Sequence, residues 1–134
     1  MSGRHYQDVE VGEELPRLEI PLNRTVIVST AIASRDYQDV HHDPELAVQR
    51  GSKDIFMNIL STNGFVGRFV TDWAGPDATL KRVAIRLGAP NYPGDTMTMT
   101  GQVTAKADGV VEITVRGANR LGDHVTGTVS VALP

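Results

Sequence analysis

The feature that most constrains the fold of this chain is a change in hydrophobic period at residue 76. Before it, apolar residues recur at helical spacing from Ile55 to Trp73, and Gly75-Pro76 ends the pattern. After it, apolar residues alternate with polar ones in four segments, residues 83–87, 97–103, 111–115 and 125–131. One long helix followed by antiparallel strands predicts an α+β fold in which the helix packs against one face of the sheet.

The first half of the chain predicts a short strand and two shorter helices. Residues 17–22 alternate like a strand, and the proline within them is typical of a sheet edge. Asn23 is a good N-cap and favours a helix over residues 24–33. Asp43, followed by proline, predicts a second helix that ends by Gly51.

Two glycines, Gly64 and Gly67, lie within the predicted long helix. Each costs roughly 1 kcal/mol relative to alanine in a helix interior. Their presence predicts that a sheet approaches the backbone of this helix closely.

Composition narrows the class of protein. At 134 residues the chain predicts one domain, residues 1–134. Its 13 basic and 16 acidic residues give a net charge of −3, which argues against nucleic acid as the main partner. No apolar run is long enough for a membrane span, the N-terminus lacks the apolar core of a signal peptide, and cysteine is absent. We expect a cytoplasmic protein without membrane or nucleic-acid partners and without thiolate chemistry.

An acid and an imidazole stand five residues apart, Asp36 and His41, in the connection between the two shorter helices. Such a pair can converge on one water molecule and act in general acid–base catalysis. The alternative is a pair of loop residues that cap helices and face solvent. For His42 and Asp39 we predict solvent-facing positions, and for Asp43 a capping role.

A metal site at His41-His42-Asp43 is the other alternative, and the sequence gives it little support. Adjacent histidines point in different directions on most backbones, and the remaining histidines are remote in sequence. We therefore predict no metal. The start of the long helix offers a different kind of site, because unpaired backbone N–H groups there can stabilise an oxyanion. Met57 and Asn58 are predicted to lie in that first turn.

The order of residues 36–43 resembles the hydratase motif of the MaoC-like (R)-specific enoyl-CoA hydratases, and Pro93-Gly94-Asp95 adds a second match. The similarity runs from about Val9 to the C-terminus. It implies a hotdog fold, in which the sheet wraps around the long helix, as the order of elements also predicts. It further implies reversible hydration of a trans-2-enoyl-CoA to a 3-hydroxyacyl-CoA. No cofactor is implied, because coenzyme A is part of the substrate.

The resemblance also implies the site residues. Asp36 and His41 would hold the water, and the backbone N–H of Asn58 would bind the thioester oxygen. Asn58 stands where the family usually has glycine, so its side chain must point away from the thioester. Two further departures are Thr30, where many members carry an aromatic residue, and Arg35, where they carry glycine.

Within the family, the chain is similar to the small hydratase subunits of actinobacterial cholesterol side-chain degradation. The segments that carry this narrower likeness are residues 36–43, 51–60, 70–76 and 121–126. It implies a steroid enoyl-CoA with a shortened side chain as substrate, and the small side chain of Thr30 is compatible with a bulky acyl group. It also implies a second MaoC-like subunit, in a dimer or heterotetramer, with a thiolase-type aldolase as a further partner.

Two alternatives to a hydratase remain open. Hotdog thioesterases commonly carry an acid on the long helix, whereas residues 55–71 contain no Asp or Glu. A non-catalytic subunit that completes a partner's site is the second alternative. Retention of both Asp36 and His41 argues for the active subunit.

Overall fold

The fold consists of one antiparallel sheet and three α-helices in the computed structural model, which describes residues 3–134. Single 3₁₀ turns lie at Tyr6–Asp8 and Asp39–His41. The helices are α1 (Arg24–Ala33), α2 (Pro44–Gln49) and α3 (Ile59–Ala74), and the strands are β1 (Leu18–Pro21), β2 (Thr79–Leu87), β3 (Thr96–Ala107), β4 (Val110–Asn119) and β5 (Gly122–Ala132).

The sheet has the strand order β1-β3-β4-β5-β2, and every neighbouring pair is antiparallel. β2 therefore does not pair with the next strand in sequence but crosses to β5, and β1 and β2 form the two edges. The inner face of the sheet and one face of α3 form the core, whose members include Val66, Phe69, Val70, Met97, Met99, Ile113 and Val129. The predicted α+β architecture is confirmed, as are the edge position of β1 and the helix at residues 24–33.

The long helix begins four residues later than predicted. Residues 55–57 are not helical, because their backbone groups bond to other segments: the Phe56 N–H donates to the Val40 carbonyl and the Met57 N–H to the Asn91 carbonyl, each at 3.1 Å. Asn58 is the N-cap of α3, and its side-chain oxygen accepts from the Ser61 N–H at 3.0 Å. Periodicity could not locate this start, since the tertiary contacts of residues 56 and 57 override it.

The glycines of α3 do not mark a close approach of the sheet. A Cβ at Gly64 would meet no atom within 4 Å, and one at Gly67 would meet only Leu80 Cδ2, at 3.8 Å. The close approach lies on the strands, where a Cβ at Gly101 would come 2.8 Å from the Phe69 ring. The helix presents its bulky Phe69 to a glycine of the sheet, which is the reverse of the prediction.

Within residues 3–134, no helix is long and apolar enough to cross a membrane.

Candidate active site

The end of α1 directs Asp36 into the site. Arg35 has a φ of 58°, in the left-handed region, and this turns the chain sharply. The Asp36 N–H then donates to the Ala31 carbonyl at 2.9 Å, which closes the helix end. A left-handed residue with a Cβ is strained by roughly 1–2 kcal/mol. This geometry explains why glycine suits the position of Arg35 in the family that the sequence resembles.

His41 is held by the non-helical segment in front of α3. Its Nδ1 lies 2.6 Å from the Phe56 carbonyl oxygen, and its ring packs edge-on against the Phe56 ring, with centroids 4.9 Å apart. Because a carbonyl only accepts, Nδ1 carries the hydrogen and Nε2 of the neutral ring is an acceptor. Nε2 lies 3.4 Å from Oδ2 of Asp36. The structure therefore brings together the two residues that the sequence singled out.

Asp36 is kept in its ionised form. Oδ2 accepts a hydrogen bond from Nδ2 of Asn58 at 3.0 Å, and Oδ1 accepts one from the Gln38 N–H at 3.2 Å. The pKa of Asp36 is lowered, chiefly by the Asn58 side chain and further by the Gln38 N–H and by the nearby His41 and His42, while partial burial opposes the shift. A carboxylate at neutral pH can accept a proton from water.

The backbone N–H of Asn58 has no hydrogen-bond acceptor among residues 3–134. It stands immediately before α3, whose first-turn N–H groups carry partial positive charge. Asn58 is an N-cap rather than part of the first turn, so that prediction is wrong by one position, and Met57 lies outside the helix. The N–H of Asn58 is nevertheless unpaired among residues 3–134.

Three polar neighbours of the motif have structural roles. Asp43 caps α2 as predicted, accepting from the Glu45 N–H at 2.9 Å. Asp39 forms an ion pair with Arg50, at 2.7 Å. His42, which we expected to face solvent, is partly buried, and its Nε2 lies 2.6 Å from the Asp36 carbonyl oxygen. Within residues 3–134 no three His, Cys, Asp or Glu side chains lie close enough to hold a metal ion.

A groove of about 310 Å³ runs between α1 and α3, and Asp36, His41 and Asn58 are not among the residues that line it. Its lining residues are Thr30, Ala33, Ser34, Leu60, Ser61, Gly64, Phe65 and Arg68. Ser34 and Ser61 both line the groove and bond to the Asn58 side chain, so the groove adjoins the site. A larger hollow of about 630 Å³, around Thr100 and Gln102 on the outer sheet face, is lined neither by a candidate site residue nor by Ser34 or Ser61.

Two members of this site were not foreseen from the sequence. Ser34 and Ser61 contact the Asn58 side chain, and each stands in an ordinary helical pattern. The one available signal was the spacing of Ser61, three residues after an Asn N-cap, which is where a cap accepts its hydrogen bond. Nothing in the sequence marked Ser34.

Comparisons with known proteins show the family to which this chain belongs. Residues 8–124 match the family model described as a MaoC like domain, and the chain belongs to this family. It is 55% identical, over 92% of its own length and 95% of the relative's, to the 3-oxo-4,17-pregnadiene-20-carboxyl-CoA hydratase beta subunit of Mycobacterium tuberculosis.

Solved structures agree. The chain matches a chain of the ChsH1-ChsH2 complex from Mycobacterium tuberculosis with a TM-score of 0.92 and 54% identity, over 93% of this chain and 98% of that one. It matches the R-hydratase PhaJ1 from Pseudomonas aeruginosa with a TM-score of 0.90 and 20% identity, over 98% and 86% of the two chains, a likeness that shows the fold alone. The predicted hotdog fold and MaoC-like family are confirmed, and the predicted likeness to a steroid-degrading hydratase subunit agrees with the name of the first relative.

Proposed function

We propose that this protein catalyses the reversible hydration of a trans-2-enoyl-CoA to a 3-hydroxyacyl-CoA. The observation that carries the proposal is the 3.4 Å approach of Asp36 Oδ2 to His41 Nε2, both acceptors, beside the unpaired N–H of Asn58. The hydratase names of relatives in the same family support the same reaction.

In the proposed reaction, one water molecule donates one hydrogen bond to Asp36 and one to Nε2 of His41. The water oxygen attacks C3 as one of its protons passes to the pair, and the pair returns a proton to C2. The pair thus has the same protonation before and after turnover. Because Asp36 and His41 contact the same water in this scheme, the acid and base roles are assigned to the pair and not to either residue.

The charge that develops during attack falls on the thioester oxygen. We propose that the Asn58 N–H, at the positive end of α3, donates a hydrogen bond to this oxygen. A backbone donor is already oriented by the helix, so no side chain must reorganise as the charge forms. Coenzyme A arrives with the substrate, and no cofactor is needed for this chemistry.

The central test is loss of either member of the pair. Asp36→Asn and His41→Ala should each reduce the hydration rate at least about 100-fold while the protein stays folded, since general acid–base groups contribute on the order of 10²–10⁴-fold. Matched controls are Asp77→Asn and His5→Ala, two exposed residues away from the site, which should keep normal rates. Near-normal hydration by either site variant would refute the assignment.

We further propose that the acyl group is a steroid carried in the groove between α1 and α3. The 55%-identical relative is named for a pregnadiene-carboxyl-CoA, and the hydroxyl of Thr30 bonds to the Val26 carbonyl at 2.8 Å, which leaves its small side chain at the groove wall. At about 310 Å³ the groove is at the low end for ligand sites, so a partner subunit would supply further walls.

Selectivity tests this substrate class. With the partner present, we expect kcat/KM for a steroid enoyl-CoA to exceed that for crotonyl- and octenoyl-CoA by more than tenfold, or about 1.4 kcal/mol. Thr30→Phe should narrow the groove and reduce this ratio, whereas Thr25→Phe, on the exposed side of α1, should not. Equal turnover of the short linear substrates by the unmodified protein would contradict a steroid substrate.

The two alternatives make separate predictions. A thioesterase would release free CoA thiol, which a thiol reagent detects; in α3 the only acid is Asp72, an exposed residue that pairs with Arg68 at 3.4 Å. A non-catalytic subunit would leave the hydration rate unchanged when Asp36 is replaced in this chain and not in the partner. The Asp36–His41 geometry favours the active role.

We also propose that this chain, as a single domain, assembles with a second MaoC-like subunit into a heteromeric dimer or a heterotetramer. We propose the cytoplasm as the location of this complex. The name "beta subunit" of one relative and the two-component complex of another support it. So does the surface: Ile59 and Leu60, at the start of α3, are each about half exposed. A thiolase-type aldolase as a further partner stays a prediction from the resemblance.

A further inference from the structure

The side chain of Asn58 uses all of its hydrogen-bonding capacity within the site. It is 2% exposed. Its Nδ2 donates to Asp36 Oδ2 and to Ser34 Oγ, both at 3.0 Å. Its Oδ1 accepts from the Ser61 N–H at 3.0 Å and from the Ser61 hydroxyl. An amide offers two donors and two acceptor sites, so every one is satisfied and the side chain has a single orientation.

This orientation is passed on to Asp36. The oxygen that Asn58 holds is the same Oδ2 that faces His41 Nε2 at 3.4 Å. The other oxygen, Oδ1, is held by the Gln38 N–H at 3.2 Å. Two donors from different segments therefore fix the plane of the carboxylate, and the one from Asn58 is anchored to the end of α3 through Ser61.

We propose that the carboxamide of Asn58 is a positioning residue for hydration, which fixes Asp36 Oδ2 in the direction from which Asp36 and His41 share one water. This inference rests on the proposed function. Asn58 then has two separable parts: its backbone N–H serves the thioester oxygen, and its side chain serves the acid. Glycine at this position would keep the first part only.

The electrostatics agree with the geometry. The hydrogen bond from Asn58 is the largest cause that lowers the pKa of Asp36. Removing the donor should raise the pKa of this carboxyl, because the ionised form loses a charge-assisted hydrogen bond. Activity that needs the carboxylate is lost as the pH falls through the pKa of Asp36. When the donor is removed, the acid limb of the pH profile of kcat should therefore shift to higher pH.

The test uses two replacements of Asn58 in the complex with the partner subunit. Asn58→Ser keeps a hydroxyl that can cap α3 but does not reach Asp36. In this variant kcat should fall at least tenfold, while KM should stay within about twofold of the unmodified value. The acid limb of the pH profile of kcat should shift to higher pH by about one pH unit. Asn58→Asp also keeps the cap and sets a carboxylate against Asp36, which should raise the acid limb further because like charges disfavour ionisation.

The matched control is Asn23→Ser, the same change at the N-cap of α1, where the Asn23 side chain accepts from the Val26 N–H at 2.8 Å. Serine caps a helix about as well as asparagine, so this change should leave both the stability and the pH profile of kcat close to those of the unmodified protein. An Asn58→Ser variant that behaves like Asn23→Ser, with unchanged kcat and acid limb, overturns the positioning role.

A second measurement separates this inference from the proposed function. Titration of the ¹³C-labelled Asp36 carboxyl by NMR should show a higher pKa in Asn58→Ser than in the unmodified protein, whatever the reaction. If Asp36→Asn keeps normal hydration while the NMR titration shifts, the proposed function fails and the control of Asp36 by Asn58 stands. If the titration does not move, the inference about Asn58 is wrong, and the hydration assignment stands on its own test.

Discussion

His124 is a buried residue that ties two segments together next to the candidate site. It is 2% exposed, with Nδ1 2.6 Å from the Ala89 carbonyl oxygen and Nε2 2.8 Å from Oγ1 of Thr62. Since the carbonyl only accepts, Nδ1 carries the hydrogen and Nε2 accepts from the Thr62 hydroxyl. Thr62 lies in the first turn of α3, so this neutral imidazole links the β2–β3 connection to the helix end that supplies the site.

The pH dependence of stability tests this role. Burial lowers the pKa of His124 from the ordinary value of 6.5, with the Ala89 hydrogen bond opposing. The unfolded chain then binds the proton more readily, so this contribution to stability is full above about pH 6.5 and declines as the pH falls below it. His124→Gln should cost about 1–3 kcal/mol at pH 7, measured by urea unfolding, and less at pH 5.

The control for this measurement is His5→Gln, an exposed residue, which should leave the stability close to that of the unmodified protein at both pH values. A cost of His124→Gln that is the same at pH 7 and pH 5 would show that burial does not lower the pKa of His124 below its value in the unfolded chain.

At the scale of elements, the N-terminal end of α3 lies at the candidate site, and one face of the same helix packs in the core. Its cap, Asn58, stands at the acid–imidazole pair, while Phe69 and Val70 pack on the sheet. The glycines on its other faces have no packing reason. Gly67→Ala should therefore raise the free energy of unfolding by up to about 1 kcal/mol, since alanine is the better helix former and its Cβ would meet only Leu80 Cδ2, at 3.8 Å.

The contrasting change is Gly101→Ala on β3, which should lower the free energy of unfolding because the new Cβ would come 2.8 Å from the Phe69 ring. Both variants are compared by urea unfolding of the same chain. A destabilised Gly67→Ala would mean that this face of α3 packs against something other than residues 3–134. Gly64 is unsuitable for the comparison because it lines the groove.

At the scale of the whole molecule, the sheet has an open edge at β2. This strand of nine residues pairs with β5 on one side and with no other strand among residues 3–134. An unpaired edge of this length invites association with another chain. We expect light scattering of the active preparation to give the mass of at least two subunits. A monomer mass with full activity would refute the assembly.

The sequence by itself determined much of this protein, and the reason is that those features are local. Period two and period 3.6 identified the helices and strands, Asn23 and Asp43 identified two helix starts, and the spacing of Asp36 and His41 identified the pair. Each of these signals comes from residues a few positions apart, so it can be recognised from the sequence alone.

Tertiary structure decided what depends on distant partners. The start of α3 moved to Ile59 because Val40 and Asn91 bind the preceding segment, and β2 joined β5 across the sheet rather than the strand that follows it. The Asn58 side chain turned to Asp36, 22 residues away in sequence. Such contacts depend on which distant segments the fold brings together, and a local sequence pattern does not predict them.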